Sequence, residues 1–251
     1  MKLRRASEIK NTKSLILMHG PSGAGKTYRA AQAVDPSQDK ELVFLILTEA
    51  NGVVSAKAAN PNVLLPEFED SEGNVRNYVS NADELRQAMK MCAGTQLKDM
   101  GVTVVAFDGL TEIQALLKDE ILAKKPADQR ELMQLQEWGL LGERMRKFMR
   151  WLRSIPYNVV CTCLTNEEGG QESEPLRIRL QLQGKSTVNA VPQFFTAVAY
   201  CTNVDPARKG QPVRRISMFE GHSRYLCKPA GELGGIREDA MHEWFTILNN
   251  S

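Results

Sequence analysis

The sequence predicts an α/β fold: a three-layer domain whose mainly parallel sheet is extended by antiparallel hairpins toward the C-terminus. Three observations lead there. Four near-continuous apolar runs, beginning at Leu15, Glu41, Gly101 and Tyr157, read as strands buried on both faces, with helical patterns between them. A glycine-rich loop follows the first run at once and opens into a helix. Beyond Leu176 the pattern changes to apolar–polar alternation with tight links, the mark of half-exposed hairpin strands.

The elements follow in order. Residues 1–13 carry Lys2, Arg4, Arg5, Lys10 and Lys13 and read as a basic N-terminal arm ahead of one compact domain over 14–251. Leu15 to Met18 is the first strand, and Thr27 to Ala33 begins the first helix. Glu41 to Leu47 is the second strand, and residues 51–80, mixing Gly, Pro and Asn, read as an irregular connection. Asn81 followed by Glu84 marks a helix start running to Cys92. Gly101 to Asp108 is a strand ending on an acid, and Thr111 to Gln114 resembles a capping box opening a helix to Ala123. A long helix spans Leu132 to Ser154, then Tyr157 to Leu164 is the fourth strand. Leu176 to Gln183, Phe194 to Val204, Val213 to Phe219 and Arg224 to Cys227 are the later strands, with Gly221-His222-Ser223 a turn and Arg237 to Leu248 a final helix.

Composition bounds the function. A net charge of +2 excludes a polyanion-binding surface spread over the whole molecule, so any nucleic-acid surface is local. No apolar run approaches a membrane span, so no membrane partner is expected. The odd number of cysteines, five, mostly inside strand-like runs, points to buried thiols and a cytoplasmic setting.

Gly20-Pro21-Ser22-Gly23-Ala24-Gly25-Lys26-Thr27 matches G-x-x-x-x-G-K-[ST] in its strand–loop–helix context. Glycines let the backbone wrap a polyphosphate, Lys26 reaches the β- and γ-phosphates, and the Thr27 hydroxyl ligates Mg²⁺. ATP and Mg²⁺ are the expected ligands. Asp108, closing an apolar strand, is the second Mg²⁺ ligand. Many ATPases of the AAA type carry a general base directly after that aspartate, but here the position is Gly109. Glu49, ending the second strand, is the candidate base, with Glu112 second. Thr165 and Asn166, ending the fourth strand, are candidate γ-phosphate sensors.

These pieces together resemble the RecA-like ATPase core, so the fold is expected to be a three-layer P-loop NTPase of RecA-like type. With Leu182-Gln183-Gly184-Lys185 and Tyr225-Leu226-Cys227-Lys228 added, the chain looks most like compact bacteriophage proteins of the Sak type, reduced RecA-like proteins implicated in single-strand annealing. The resemblance implies ATP-dependent assembly on single-stranded DNA in phage recombination or replication, alongside phage or host partner proteins. It also implies a homo-oligomer with nucleotide at the subunit interface, completed by a neighbour's basic residue; Lys228 is the candidate, Arg224 the second. Arg177, Arg179 and Lys185 are the expected nucleic-acid contacts, ahead of Arg144, Arg146, Lys147, Arg150 and Arg153 on the long helix. Two alternatives stand beside an ATP-hydrolysing protein: a nucleotide-bound annealing mediator with little turnover, and a P-loop phosphotransferase.

Overall fold

The computed structural model describes residues 13–37, 40–169, 176–204, 214–221 and 224–250. Strand β1 (Leu15–His19) passes through the glycine loop into α1 (Lys26–Ala31), and β2 (Leu42–Leu47) into α2 (Gly52–Ala59). A small ribbon of β3 (Phe68–Glu69) and β4 (Val75–Arg76) precedes α3 (Ala82–Ala93) and α4 (Gln96–Asp99). Then come β5 (Val102–Asp108), α5 (Leu110–Ala123), α6 (Leu135–Ser154) and β6 (Asn158–Cys163). A second ribbon pairs β7 (Thr165–Glu168) with β8 (Arg177–Leu180), and α7 (Lys185–Ala190) follows. The chain closes with β9 (Ala197–Val204), β10 (Arg214–Met218), β11 (Ile236–Arg237) and α8 (Met241–Asn250).

The main sheet runs β11-β10-β9-β1-β6-β5-β2. Its five strands from β9 to β2 are parallel, and β10 and β11 extend it antiparallel, which is the expected architecture. Alternate residues of each parallel strand feed two separate cores, which is why these runs are apolar without a break. Leu15, Leu17, Phe107 and Cys161 pack against α3, α5 and α6 on one face. Ile16, Met18, Ala106 and Val160 pack against α1, α2 and α8 on the other. Cys161 and Cys163 share one face as buried free thiols, as their spacing predicts.

Several elements differ from expectation for identifiable reasons. The stretch 51–80 holds the helix α2, whose Gly52-Val53-Val54-Ser55 opening is a poor helix former. Packing supplies what propensity lacks: Ala56 is fully buried, and the Asn60 amide, at the helix end, donates to the Ala31 carbonyl at 3.1 Å. Asn81 caps α3 as predicted, accepting from the Asp83 and Glu84 amides, but the Glu84 carboxylate accepts from Ser80 N rather than from the cap itself. Thr111 is not a cap, because α5 begins one residue before it, at Leu110, with Gly109 in the cap position. Arg224–Cys227 forms no strand; single bridges tie Tyr225 to Ile178 and Lys228 to Val198. Lys13 is no loose arm residue. Its ammonium donates to the Leu152, Arg153 and Ile155 carbonyls at 3.2, 2.5 and 2.6 Å and so closes the C-terminal end of α6. The arm over 1–12 and His222-Ser223 lie outside the described residues. Among those residues, no helix is long and apolar enough to cross a membrane.

Candidate functional site

At the C-terminal ends of β1, β5 and β2 lies a cleft of about 390 Å³, lined by Lys26, Thr27, Glu49, Asp108, Thr162 and Arg215. The loop from Gly20 to Thr27 forms its floor, with Gly23 and Gly25 at φ 78° and 80°. Ala24 is buried beneath. Lys26 Nζ donates to the Gly20 and Pro21 carbonyls, each at 2.8 Å, so its charge is already folded over the loop. Burial lowers the Lys26 pKa, opposed by Cys201, Asp108, Cys163 and Glu49.

Thr27 and Asp108 meet across the cleft. Thr27 Oγ1 donates to Asp108 Oδ2 at 2.7 Å, and Thr162 Oγ1 donates to Oδ1 at 2.6 Å. Burial pushes the Asp108 carboxyl above its usual range, and the two hydroxyls and Lys26 pull it back. A hydroxyl and a carboxylate in contact beside a lysine are the donor set that a magnesium–nucleotide complex requires. Thr162 escaped the sequence reading, since a threonine inside the apolar β6 carries no motif.

The backbone at Gly109 leaves no room for a side chain next to Asp108. It sits at φ 112°, and a Cβ there would lie 2.3 Å from Thr48 Oγ1, which itself donates to the Asp108 carbonyl at 2.8 Å. The Gly109 amide donates to Thr162 Oγ1 at 2.9 Å, so this turn is what aims the carboxylate. A side chain at 109 breaks that geometry. Gly109→Ala is therefore expected to cost about 2 kcal/mol or more of folding stability, combining left-handed strain with the collision. Denaturant unfolding of the two proteins measures it, and an unchanged midpoint would contradict this account.

With position 109 closed to side chains, the carboxylate that lines the cleft beside Asp108 is Glu49, at β2's end. Glu49 stands two residues past β2, in the turn whose carbonyl accepts from Gly52 N at 3.1 Å, and it is exposed into the cleft. Glu112 lies elsewhere. It lines a separate cleft of about 300 Å³ with Gln114 and Asn166.

Thr165 and Asn166 do not end β6. The chain leaves the sheet at Leu164, whose amide donates to Thr111 Oγ1 at 3.2 Å and whose carbonyl accepts from Gln181 N at 2.8 Å. Thr165 and Asn166 instead open the β7–β8 ribbon, opposite Leu180 and Arg179, and neither lines the phosphate cleft. Lys228 is likewise not brought to the chain's own cleft. Its backbone pairs with Val198, and Nζ donates to the Phe195 carbonyl at 2.7 Å, below the start of β9.

The family comparison fits this geometry. The model described as AAA domain matches residues 12–229. The chain belongs to the AAA domain family. That family consists of P-loop nucleotide-binding proteins, in agreement with the cleft, the parallel sheet and the loop after β1. No curated protein matched in sequence. This AAA domain departs from the arrangement of many AAA-type ATPases at Gly109, for the steric reason above.

A second feature of the AAA domain is a basic groove of about 310 Å³. Arg177 and Arg179 of β8 line it together with Arg224 and Tyr225, which sequence reading did not join to them. Lys185, opening α7, is exposed but not part of the lining. Tyr225 stacks on Tyr200 with ring centroids 4.4 Å apart, and the Arg224 guanidinium sits 5.7 Å from the Tyr225 centroid. Arg179 also pairs with Glu168 of β7 at 3.0 Å, which offsets part of the groove's positive charge. On α6, Arg144 pairs with Glu120 at 2.6 Å and Arg146 with Glu143 at 3.3 Å, which leaves that helix partly neutralised.

Proposed function

We propose that this AAA domain hydrolyses ATP and couples hydrolysis to binding of single-stranded DNA, as a homo-oligomer of the RecA-like recombination type. The observation that carries the hydrolase reading is the convergence of Lys26, the Thr27–Asp108 pair and Glu49 in one cleft. In this reading Thr27 and Asp108 hold Mg²⁺, which when bound neutralises charge on the β- and γ-phosphates. Lys26 exchanges its loop carbonyls for phosphate oxygens. Glu49 accepts a proton from the water that attacks the γ-phosphorus, in line with the leaving oxygen. A Sak-type role in phage annealing or replication, in company with phage or host proteins, is the setting that the motif resemblance favours.

Support for a nucleic-acid partner comes from the groove. Three arginines beside a stacked tyrosine combine backbone charge with a face for a base, which suits an unpaired strand. The groove also touches the loop's root: His19, just before Gly20, makes a 2.5 Å hydrogen bond through Nε2 to the Leu226 carbonyl, and its ring lies 5.4 Å from Tyr200. Burial lowers the His19 pKa to about 4, so the imidazole is neutral at pH 7 and donates this bond. Lys228 acting on a neighbour's nucleotide belongs to the same proposal.

The test is ATP turnover with and without single-stranded DNA, for the wild type, Lys26→Ala, Arg179→Ala and Tyr225→Ala. Stimulation by DNA is expected in the wild type and no turnover in Lys26→Ala. Arg179→Ala and Tyr225→Ala are expected to weaken DNA binding by about 5- to 50-fold. A rate indifferent to DNA would remove the nucleic-acid reading while leaving the ATPase. DNA binding with no turnover in any protein would favour the mediator alternative.

A further inference from the structure

Among the described residues, Arg215 is the one cation besides Lys26 that lines the phosphate cleft, and no motif announces it. It lies on β10, on the side of β1 opposite to Asp108 and Glu49, because the sheet order puts β9 and β10 on one side and β6, β5 and β2 on the other. Its side chain crosses the glycine loop: a Cβ on Gly25 would come within 2.7 Å of Arg215 Cδ. Its guanidinium then rests 5.4 Å from the centroid of the Tyr28 ring, and the side chain is exposed. Among the described residues it makes no ion pair.

The backbone under this pair is fixed from behind. Buried Arg29 donates to the Arg215 carbonyl at 2.6 Å and to the Asp239 carbonyl at 2.7 Å, with its guanidinium 5.5 Å from the Trp244 ring. Asn203, opposite Arg215 in the β9–β10 register, donates to the Gly23 carbonyl at 3.2 Å. The hairpin is thus tied to the phosphate loop through Asn203 and to α1 through Arg29.

Tyr28 and Arg215 also form the wall shared with a neighbouring groove of about 430 Å³, lined further by Gln32, Arg214 and Glu238. Arg214 and Glu238 pair with each other, Nε to Oε2 at 3.1 Å, so Arg214's charge is met within the groove's own lining. A polyphosphate with its γ end at Thr27, Asp108 and Glu49 would have Tyr28 and Arg215 on the side of the cleft that opens into this groove. A volume of this size suits a nucleoside.

We infer that Tyr28 and Arg215 form the platform on which the nucleoside of the bound nucleotide stacks, with the groove beside them receiving base and ribose. The inference rests on the nucleotide-binding reading above and adds the nucleoside subsite to it. A guanidinium lying over an aromatic ring is itself a planar surface, exposed here at Arg215, and stacking on such a face holds a base without reading its edge.

Calorimetric titration with Mg²⁺–ATP and with Mg²⁺–tripolyphosphate, which has no nucleoside, tests the assignment in the wild type, Tyr28→Ala and Arg215→Gln. The wild type is expected to bind ATP more tightly than tripolyphosphate. Each variant is expected to lose about 5- to 50-fold in ATP affinity while its tripolyphosphate affinity stays within about twofold. Equal losses for both ligands in Arg215→Gln would make Arg215 a phosphate contact and overturn the inference. Unchanged ATP affinity in both variants, or equal wild-type affinity for the two ligands, would overturn it as well, with the phosphate site intact. A wild type that binds neither ligand would bring down the nucleotide reading itself.

Discussion

Replacing Glu49 with Gln is expected to lower ATP turnover by about 10²- to 10⁴-fold while ATP still binds, the loss typical of removing a general base. The substitution keeps the size of the side chain and its place in the turn before α2, where the backbone carbonyl bonded to Gly52 N sets the geometry. What it removes is the proton acceptor facing the cleft. It also removes a negative charge near Lys26, so affinity for the polyanionic nucleotide should hold or rise slightly. Single-turnover hydrolysis measured beside equilibrium ATP binding separates the two effects. A variant that binds and hydrolyses like the wild type would refute Glu49 as the base. Glu112 would then be tested, although it faces a different cleft with Asn166 and needs a rearrangement to reach the phosphates.

The contrast between Glu49 and Glu112 shows where the sequence is legible and where it stops. Strands buried on both faces announce themselves, because Leu15 to Met18 and Val104 to Phe107 alternate between one core and the other. The phosphate loop is legible because its chemistry forces residue types at fixed spacing. Asp108 is legible as the polar end of an apolar run. Thr162 is not, since a hydroxyl two residues inside β6 reads as any strand threonine until β6 is known to lie beside β5. Arg215 is hidden for the same reason: its value depends on β10 lying beyond β9 at the edge nearest Gly25. Helix α2 is held by tertiary packing against α1 rather than by its own residues, so propensity missed it. Thr165 and Asn166 open the β7–β8 ribbon rather than close β6, because Leu164 turns out of the sheet through bonds to Thr111 and Gln181 that no local pattern reveals.

Asp108→Asn is expected to abolish the Mg²⁺ dependence of nucleotide binding and to reduce turnover by about 10³-fold, as a lost metal ligand does. It is also expected not to unfold the protein. Asparagine retains an acceptor for Thr162 or Thr27 and offers an amide to the other hydroxyl, and it removes a charge that the fold buries at a cost. The sign of the pH effect follows from the raised Asp108 pKa. A carboxyl whose folded pKa lies above its unfolded value lends stability below the unfolded value, and that stability is lost as pH rises through the folded one. At neutral pH without metal, the wild type therefore carries a penalty that the variant lacks, and the variant should melt at the same or a higher temperature. As pH falls toward the ordinary aspartate range the difference should close. His19 acts in the opposite direction: with a pKa lowered to about 4, it costs stability as pH falls below about 6.5, but equally in both proteins, so the difference between them isolates Asp108. Melting curves from pH 7 to pH 4, with and without Mg²⁺–ATP, check both halves. A variant less stable than the wild type at pH 7 without metal would mean that Asp108 holds the fold rather than the ion, and the trade of stability for metal binding at this position would have to be abandoned.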